Sequence, residues 1–143
     1  FKNWCAGDHI DNDTKACLMV ARPLKSKGDY KKRGTSTATI YHIPNQNNEV
    51  VFYITAGYMY KSESYVSINI DNKDKFELKL IENDAAWTDE DSIDKDIVES
   101  MKKGNKMTVI GYSSRGTKTT DIYSLMGFTS AYKYISQSCN IKN

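Results

Sequence analysis

The sequence predicts a mainly β protein: a single-domain antiparallel β-sandwich with two short helices that spans residues 1–143. Three observations predict this fold class. Many short segments alternate apolar and polar residues, turn-forming residues separate these segments, and only two segments have helical spacing. A chain of 143 residues is long enough for one domain, because a domain of this size buries about 70% of its unfolded surface.

The clearest predicted strand pair is a hairpin. Val66, Ile68 and Ile70 alternate with polar residues, a turn sequence follows at 71–74, and the alternation resumes at 76–80. This pattern predicts two strands with one solvent-exposed face. The other predicted strands have β-branched and aromatic residues in common. They are 16–21, 37–43, 49–57, 106–112 and 118–125, with a weaker strand near 2–5.

Two segments have the spacing of amphipathic helices. The first, 91–104, places apolar residues one helical turn apart, carries acids in its first turn and lysines in its last, and ends at Gly104. The second follows Gly127 and places Phe128, Tyr132 and Cys139 on one stripe. Each segment therefore predicts a short helix with one face in the core.

Composition and charge argue against two classes of partner. The net charge of +2 is close to balance, whereas nucleic-acid-binding proteins carry a strongly basic face, so no nucleic-acid partner is predicted. The apolar runs are far shorter than about 18 residues, the length that spans a bilayer, so no transmembrane segment is predicted. The chain begins at Phe1 without a charged-then-apolar leader, as expected of a secreted protein after signal-peptide removal or of a shortened chain.

The three cysteines, Cys5, Cys17 and Cys139, lack the C-x-x-C spacing of a zinc site or a redox dithiol. No metal and no cofactor is therefore predicted. The residues favour one disulfide with one spare thiol. The alternative is three free thiols in a reduced cytosolic protein, because free cysteine packs as a small apolar residue.

The sequence GYSSRG, which begins at Gly111, starts like the G-x-S-x-G nucleophile elbow of a hydrolase. Arg115 stands where the second glycine is required. The motif also lies between two predicted strands rather than between a strand and a helix. We therefore interpret Ser113 and Ser114 as part of a hairpin connection in which Gly116 adopts the left-handed conformation.

No other motif assigns a catalytic or metal-binding residue. His9 lies in a polar N-terminal segment interpreted as a loop, and His42 lies in a predicted strand, so neither is an evident base for the serines. The acidic segment 8–15 lacks the glycine of a calcium loop. The acidic segment 89–96 is interpreted as helix capping followed by a solvated helix face.

The segment 22–34 is the most strongly charged part of the chain, and its proline, glycine and lysine content predicts a loop. One hypothesis is that it docks electrostatically on an anionic surface such as lipid headgroups, lipopolysaccharide or acidic glycan. The other is that it only keeps the protein in solution. The candidate binding residues are Arg22, Lys25, Lys27, Lys31, Lys32 and Arg33, with Asp29 as the lone acid among them.

The string RGTKTTDIYSLMGF at 115–128 resembles a signature of the invasion-associated locus B family of bacterial envelope proteins. The segments 56–61 and 86–87 also match, and the order of the matching blocks agrees from residue 16 to Cys139. The signature residues are Arg115, Gly116, Thr117, Asp121, Tyr123, Gly127 and Phe128.

The resemblance implies an exported β protein of the periplasm or outer surface, associated in some members with invasion of host cells. It implies no catalytic residue and no cofactor. The partner is expected to be an envelope component, a host surface or a second copy of the chain. A hydrolase or sugar-active enzyme of the periplasm is the alternative function.

The resemblance also bears on the cysteines. Cys17 and Cys139 match cysteines of similar family members, which implies a disulfide between them and leaves Cys5 as a free or intermolecular thiol. The rival pairing is Cys5 with Cys17, as in a second branch of the family.

The signature predicts packing contacts as well. Tyr123 lies on one face of the last strand, Gly127 permits a close turn, and Phe128 closes the end of the sandwich. Arg115 and Asp121 lie on opposite sides of the connection and are expected to pair, which adds only about 0–1 kcal/mol for an exposed pair.

Overall fold

A computed structural model describes residues 1–11, 13–42 and 50–140. These residues form strands and two helices in an order close to the predicted one. The strands are β1 (Cys5–Asp11), β2 (Thr14–Ala21), β3 (Lys25–Gly28), β4 (Thr37–His42), β5 (Val50–Thr55), β6 (Val66–Ile70), β7 (Asp74–Leu78), β8 (Leu80–Glu82), β9 (Ala85–Trp87), β10 (Lys106–Tyr112) and β11 (Lys118–Ser124). The helices are α1 (Asp91–Lys103) and α2 (Phe128–Ser138).

The strands form two antiparallel sheets, which confirms the predicted fold class. One sheet has the order β1-β2-β4-β5-β9-β8, and the other has the order β3-β11-β10-β6-β7. Neighbouring strands in both sheets pair antiparallel. The predicted hairpin is β6–β7, in which Val66 lies opposite Leu78 and Ile68 lies opposite Phe76.

Three details of the sequence prediction are wrong. The first strand is β1 and begins at Cys5, so His9 lies in a strand rather than in a loop. The charged segment 22–34 contains β3, whose four residues are all exposed at a sheet edge. The short strands β8 and β9 were not predicted, because three residues are too few to show a period.

The inner faces of both sheets meet in one hydrophobic core. Met19, Ile40 and Phe52 come from the first sheet, and Ile68 and Tyr123 come from the second, with each side chain at most 1% exposed. These residues alternate with more exposed neighbours along β5, β6 and β11. The period of two seen in the sequence thus separates the core face from the solvent face.

The two helices pack at one end of the sandwich. Helix α1 contacts β5 and β7, and α2 contacts β1, β2 and β4. Gly127 precedes α2 at φ 88°, and a Cβ there would collide with the carbonyl oxygen of Phe1, which confirms the predicted close turn. Phe128 is buried and meets the Trp4 ring edge-on at 5.1 Å between centroids. The indole of Trp4 also donates to the Ser124 carbonyl at 3.0 Å.

Tyr132 on α2 makes the stability of this end sensitive to alkaline pH. Burial, together with the nearby charge of Glu99, raises the pKa of Tyr132 to about 12. The unfolded tyrosine ionises from about pH 10, so the unfolded state loses its proton first and stability falls as pH rises above 10. We expect this group alone to lower the free energy of unfolding by about 1 kcal/mol at pH 11.

Urea unfolding of the wild type and of Tyr132→Phe, each at pH 8 and at pH 11, measures this contribution. The phenylalanine variant is expected to lose less stability between the two pH values. Equal losses in both proteins would contradict the assignment to Tyr132.

Candidate functional site

The end of the sandwich opposite the helices is built from three connections, 29–36, 56–65 and 113–117, which we call the loop end. Backbone hydrogen bonds tie these connections to one another. The amide of Gly34 donates to the Gly57 carbonyl at 2.9 Å, and the amide of Ser114 donates to the Met59 carbonyl at 2.7 Å. Hydrogen bonds therefore hold the loop end together as one unit, although its three connections are far apart in sequence.

The contact between 29–36 and 56–65 depends on two glycines. Gly57 has a φ of 77°, and a Cβ at this position would collide with the carbonyl oxygen of Gly34. Any other residue at Gly57 would force these two backbones apart.

Arg33 joins the connection 29–36 to the connection 56–65 and to β11 from within. Its Nη1 and Nη2 atoms donate to the two carboxylate oxygens of Asp121 at 2.7 Å and 2.6 Å, and its Nε donates to the Ala56 carbonyl at 2.7 Å. The side chains of Arg33 and Asp121 are only 5% and 2% exposed. The guanidinium carbon also lies 4.9 Å from the ring centroid of Tyr58 and 5.4 Å from that of Tyr30.

Burial and neighbouring groups determine the protonation states of Arg33 and Tyr58. Burial lowers the pKa of Arg33, but the hydrogen bonds and charge of Asp121 raise it by more, so the net pKa lies above the ordinary arginine value. Burial raises the pKa of Tyr58, and its hydrogen bond to Thr119, at 2.6 Å between the hydroxyl oxygens, offsets part of that shift. Arg33 is therefore charged and Tyr58 neutral at physiological pH.

A cleft of about 640 Å³ opens at the loop end above this ion pair. Tyr30 and Tyr58 contribute aromatic rings to its lining. Met59 adds an apolar side chain, and the remaining lining residues are basic, acidic or hydroxyl-bearing. These remaining residues are Lys31, Lys32, Arg115, Asp29, Ser113, Ser114, Thr117 and Thr119.

The structure separates the six basic residues predicted to bind an anionic surface. Arg22, Lys25 and Lys27 are exposed on β3 or just before it, and Lys31 and Lys32 are exposed in the cleft lining. Arg33 differs, because its side chain is buried and its charge is paired with Asp121. Arg33 must therefore be removed from the set of surface binding residues.

The predicted pairing of Arg115 with Asp121 is wrong. Asp121 alternates with Ile122 along β11, so its carboxylate faces the interior, where Arg33 meets it. Arg115 is exposed in the β10–β11 connection and lines the cleft. The signature residues Gly116 and Thr117 lie in the same connection, whereas Tyr123 is buried in the core.

The β10–β11 connection is the turn predicted at 113–117. The amide of Ser113 donates to the Thr117 carbonyl at 2.9 Å, and the amide of Gly116 donates to the Ser113 carbonyl at 2.7 Å. Gly116 has a φ of 86°, the predicted left-handed conformation. His42 lies at the other end of the sandwich, with its Nε2 3.3 Å from the Ser136 hydroxyl, so it does not approach these serines.

Within residues 1–11, 13–42 and 50–140, no group of three or more His, Cys, Asp or Glu side chains is placed to hold a metal ion. Asp94 corrects the prediction of a solvated face at 89–96, because it is buried. It accepts hydrogen bonds from the amide of Phe52 at 3.0 Å and from the hydroxyl of Thr88 at 2.8 Å, so it anchors α1 to β5 and to the residue that follows β9.

Cys17 and Cys139 form a disulfide, with 6.1 Å between their Cα atoms, and Cys5 is a free, exposed thiol. Strand geometry explains why the rival pairing does not form. Cys17 lies on the inner face of β2 and is fully buried, whereas Cys5 lies opposite Val20, which alternates with the inner-facing residues of that strand. The thiols of Cys5 and Cys17 therefore point to opposite faces of the sheet.

These features define a class of protein: a disulfide-linked β-sandwich with helices at one end and a basic, aromatic cleft at the other. The chain belongs to the invasion associated locus B (IalB) family, whose sequence model matches residues 4–136. This match confirms the family indicated by the signature at 115–128.

A solved structure is similar to this fold. It is the crystal structure of invasion associated protein B from Bartonella henselae, with a TM-score of 0.65 and 16% sequence identity. The match covers 93% of this chain and 91% of that chain, and at this identity it shows a shared fold. No curated protein sequence matches this chain. Neither described helix has the length and apolar character that crossing a membrane requires.

Proposed function

We propose that this chain is one domain that acts as a non-catalytic interaction protein of the bacterial envelope or cell surface, and that its partner carries negative charge. A role in host-cell invasion is supported by the name of its family and of the similar Bartonella protein. The observation that carries the proposal is the loop end, where tied connections present a cleft rich in basic side chains.

The charge of this region is uneven. Lys31, Lys32 and Arg115 line the cleft with Asp29 as their acidic neighbour, and Lys25 and Lys27 extend the basic surface along the edge strand β3. Because the carboxylate of Asp121 is paired with Arg33, Asp121 does not offset the positive charge of the exposed lysines and Arg115. A surface with an excess of one charge attracts and orients an oppositely charged partner.

The disulfide supports an exported location. The bond between Cys17 and Cys139 joins two buried cysteines that are 122 residues apart. Such bonds persist in the periplasm and outside the cell, and reducing conditions in the cytosol disfavour them. This favours the periplasm or the cell surface as the compartment.

The alternative of a hydrolase or sugar-active enzyme fits the cleft less well. Hydrolysis of a glycosidic bond normally uses two carboxyl groups on either side of the bond. Asp29 is the carboxylate that lines the cleft, and the other lining side chains are hydroxyls, aromatic rings, basic groups and the thioether of Met59. This set of side chains is better suited to binding a ligand than to hydrolysing it.

Binding to anionic vesicles tests the proposal. We compare the wild type with a variant in which Arg22, Lys25, Lys27, Lys31 and Lys32 become Gln. Each basic residue near an anionic membrane contributes about 1 kcal/mol, so we expect binding to lipopolysaccharide-containing vesicles at low salt to weaken about a hundredfold or more. High salt should remove most of the wild-type binding as well.

A second variant of equal charge is the control. It replaces five exposed lysines away from the loop end by Gln, and it should bind almost as well as the wild type. These lysines are Lys73, Lys75, Lys95, Lys103 and Lys133. Equal binding by the wild type and both variants would contradict the proposal.

A further inference from the structure

We infer that the cleft at the loop end binds an anionic saccharide, that is, a sugar ring that carries a carboxylate or sulfate group. The inference rests on the proposed function and names the ligand class of that surface. It depends on four properties of the cleft: its rigidity, its size, its aromatic lining and the position of its charges.

The cleft has the rigidity of a preformed site. Its walls come from three connections that hydrogen bonds hold together, and beneath them Arg33 lies against the rings of both Tyr30 and Tyr58. The hydroxyl of Tyr58 is bonded to Thr119, which fixes that ring further. A ligand that enters a preformed cleft has little ordering entropy to overcome.

The size of the cleft selects a compact ligand. Its volume of about 640 Å³ lies within the range of small-molecule sites, about 300–1,000 Å³, and accommodates a ligand of about one or two sugar rings. A flat protein partner would leave such a concavity unfilled. An inorganic anion would be too small to contact most of the side chains that line the cleft.

The lining matches the two kinds of surface that a sugar ring presents. The C–H bonds of a sugar ring carry partial positive charge and pack on the negative face of an aromatic ring, which Tyr30 and Tyr58 supply. The hydroxyl groups at the ring edge need donors and acceptors. Ser114 and Thr117 provide hydroxyls, and Asp29 provides a carboxylate acceptor.

The charges place the anionic group at the mouth of the cleft. Lys31, Lys32 and Arg115 are exposed there, and within residues 1–11, 13–42 and 50–140 no carboxylate pairs with any of the three, in contrast to Arg33. The buried Arg33 is fully engaged by Asp121 and Ala56, so it does not bind the ligand directly. The sugar ring therefore faces Tyr30 and Tyr58, and its carboxylate or sulfate faces the lysines and Arg115.

Calorimetric titration of the full chain tests this assignment with four probes. They are an unsulfated disaccharide that contains a uronic acid, a sulfated disaccharide of the same size, maltose and inorganic sulfate. We expect saturable binding of at least one acidic disaccharide, and binding of maltose and inorganic sulfate weaker by about tenfold or more. The two acidic probes distinguish a carboxylate ligand from a sulfate ligand.

Two sets of charge-matched variants locate the site. The triple variant Lys31→Gln, Lys32→Gln, Arg115→Gln is expected to weaken disaccharide binding about tenfold or more. The triple variant Arg22→Gln, Lys25→Gln, Lys27→Gln removes equal charge from outside the cleft and should change binding less than about threefold.

Variants of Tyr30 test the role of the ring. Tyr30→Leu removes the aromatic face and should weaken binding about tenfold, whereas Tyr30→Phe keeps that face and should bind like the wild type. Thermal unfolding of both variants shows whether the fold is retained. If Tyr30→Leu does not fold, the two charge-matched triple variants still test whether the saccharide binds in the cleft.

Three outcomes would overturn the inference. They are no binding of either acidic disaccharide, binding of inorganic sulfate as tight as that of the disaccharides, or equal losses in the two triple variants. The vesicle experiment shows whether only the saccharide inference fails or whether the proposed function fails as well. If the basic residues still control vesicle binding, the protein is an anionic-surface binder and only the saccharide site is wrong.

Discussion

Replacing Cys17 and Cys139 together by serine lowers the free energy of unfolding by about 5 kcal/mol, the largest effect that we expect from a single contact. The bond closes a loop of 122 residues. In the chain-entropy account, a cross-link over such a distance restricts the unfolded chain strongly and destabilises it by about that amount. Both sulfurs are also buried, so the replacement puts two hydroxyls into the core.

Urea denaturation under non-reducing conditions measures this effect, with Cys5→Ser as the control. Cys5 is exposed and free, so its replacement should leave stability unchanged. Peptide mapping without a reductant checks the connectivity in native protein. A double variant as stable as the wild type, or a mapped peptide that links Cys5 to Cys17, would contradict the structural assignment.

Replacing Asp121 by alanine has the second largest expected effect, a loss of about 3–5 kcal/mol. The change leaves Arg33 buried at 5% exposure with two unpaired nitrogen donors and no opposite charge. Removing one partner of a buried ion pair is costly because the remaining charge stays out of water. The connection 29–36 should also loosen, since Arg33 holds it to β11 and to the Ala56 carbonyl.

Thermal and urea unfolding measure the loss, and hydrogen exchange at the Gly34 amide reports on the connection. The control is Glu99→Ala, which breaks the exposed pair of Lys102 and Glu99 and should cost less than about 1 kcal/mol. The double variant Arg33→Met, Asp121→Leu should recover much of the stability, because it removes both charges. A loss of under 1 kcal/mol in Asp121→Ala would show that the pair is not a structural element.

The elements that local patterning controls could be predicted from the sequence. Alternation at 66–70 predicted β6, and alternation at 76–80 predicted β7, although β7 begins at Asp74 and ends at Leu78, and Leu80 is exposed in β8. Helical spacing with Gly104 at the end predicted α1. In both cases the period of the apolar residues is the period with which the element faces the core. β3 was missed because its residues are all exposed, so no apolar period marks it.

The site depended on contacts that no local pattern encodes. Arg33 and Asp121 lie 88 residues apart. Arg33 lies in a basic segment, and nothing in the local sequence distinguishes it from the neighbouring exposed lysines. Only the register of β11, which turns Asp121 inward, distinguishes the buried arginine from the exposed lysines. The cleft likewise needs three separate connections, and its signal in the sequence was limited to the basic run and the turn at 113–117.

The position of the disulfide has a consequence for synthesis of the chain. Cys5 and Cys17 both leave the ribosome more than 100 residues before Cys139, the partner of Cys17. Until then, Cys17 can be oxidised with Cys5 to a non-native bond but not with its native partner. Correct oxidation must therefore follow the emergence of Cys139, and early oxidation must be reversed by thiol exchange. A nascent chain kept reduced and unfolded until Cys139 has emerged avoids this error.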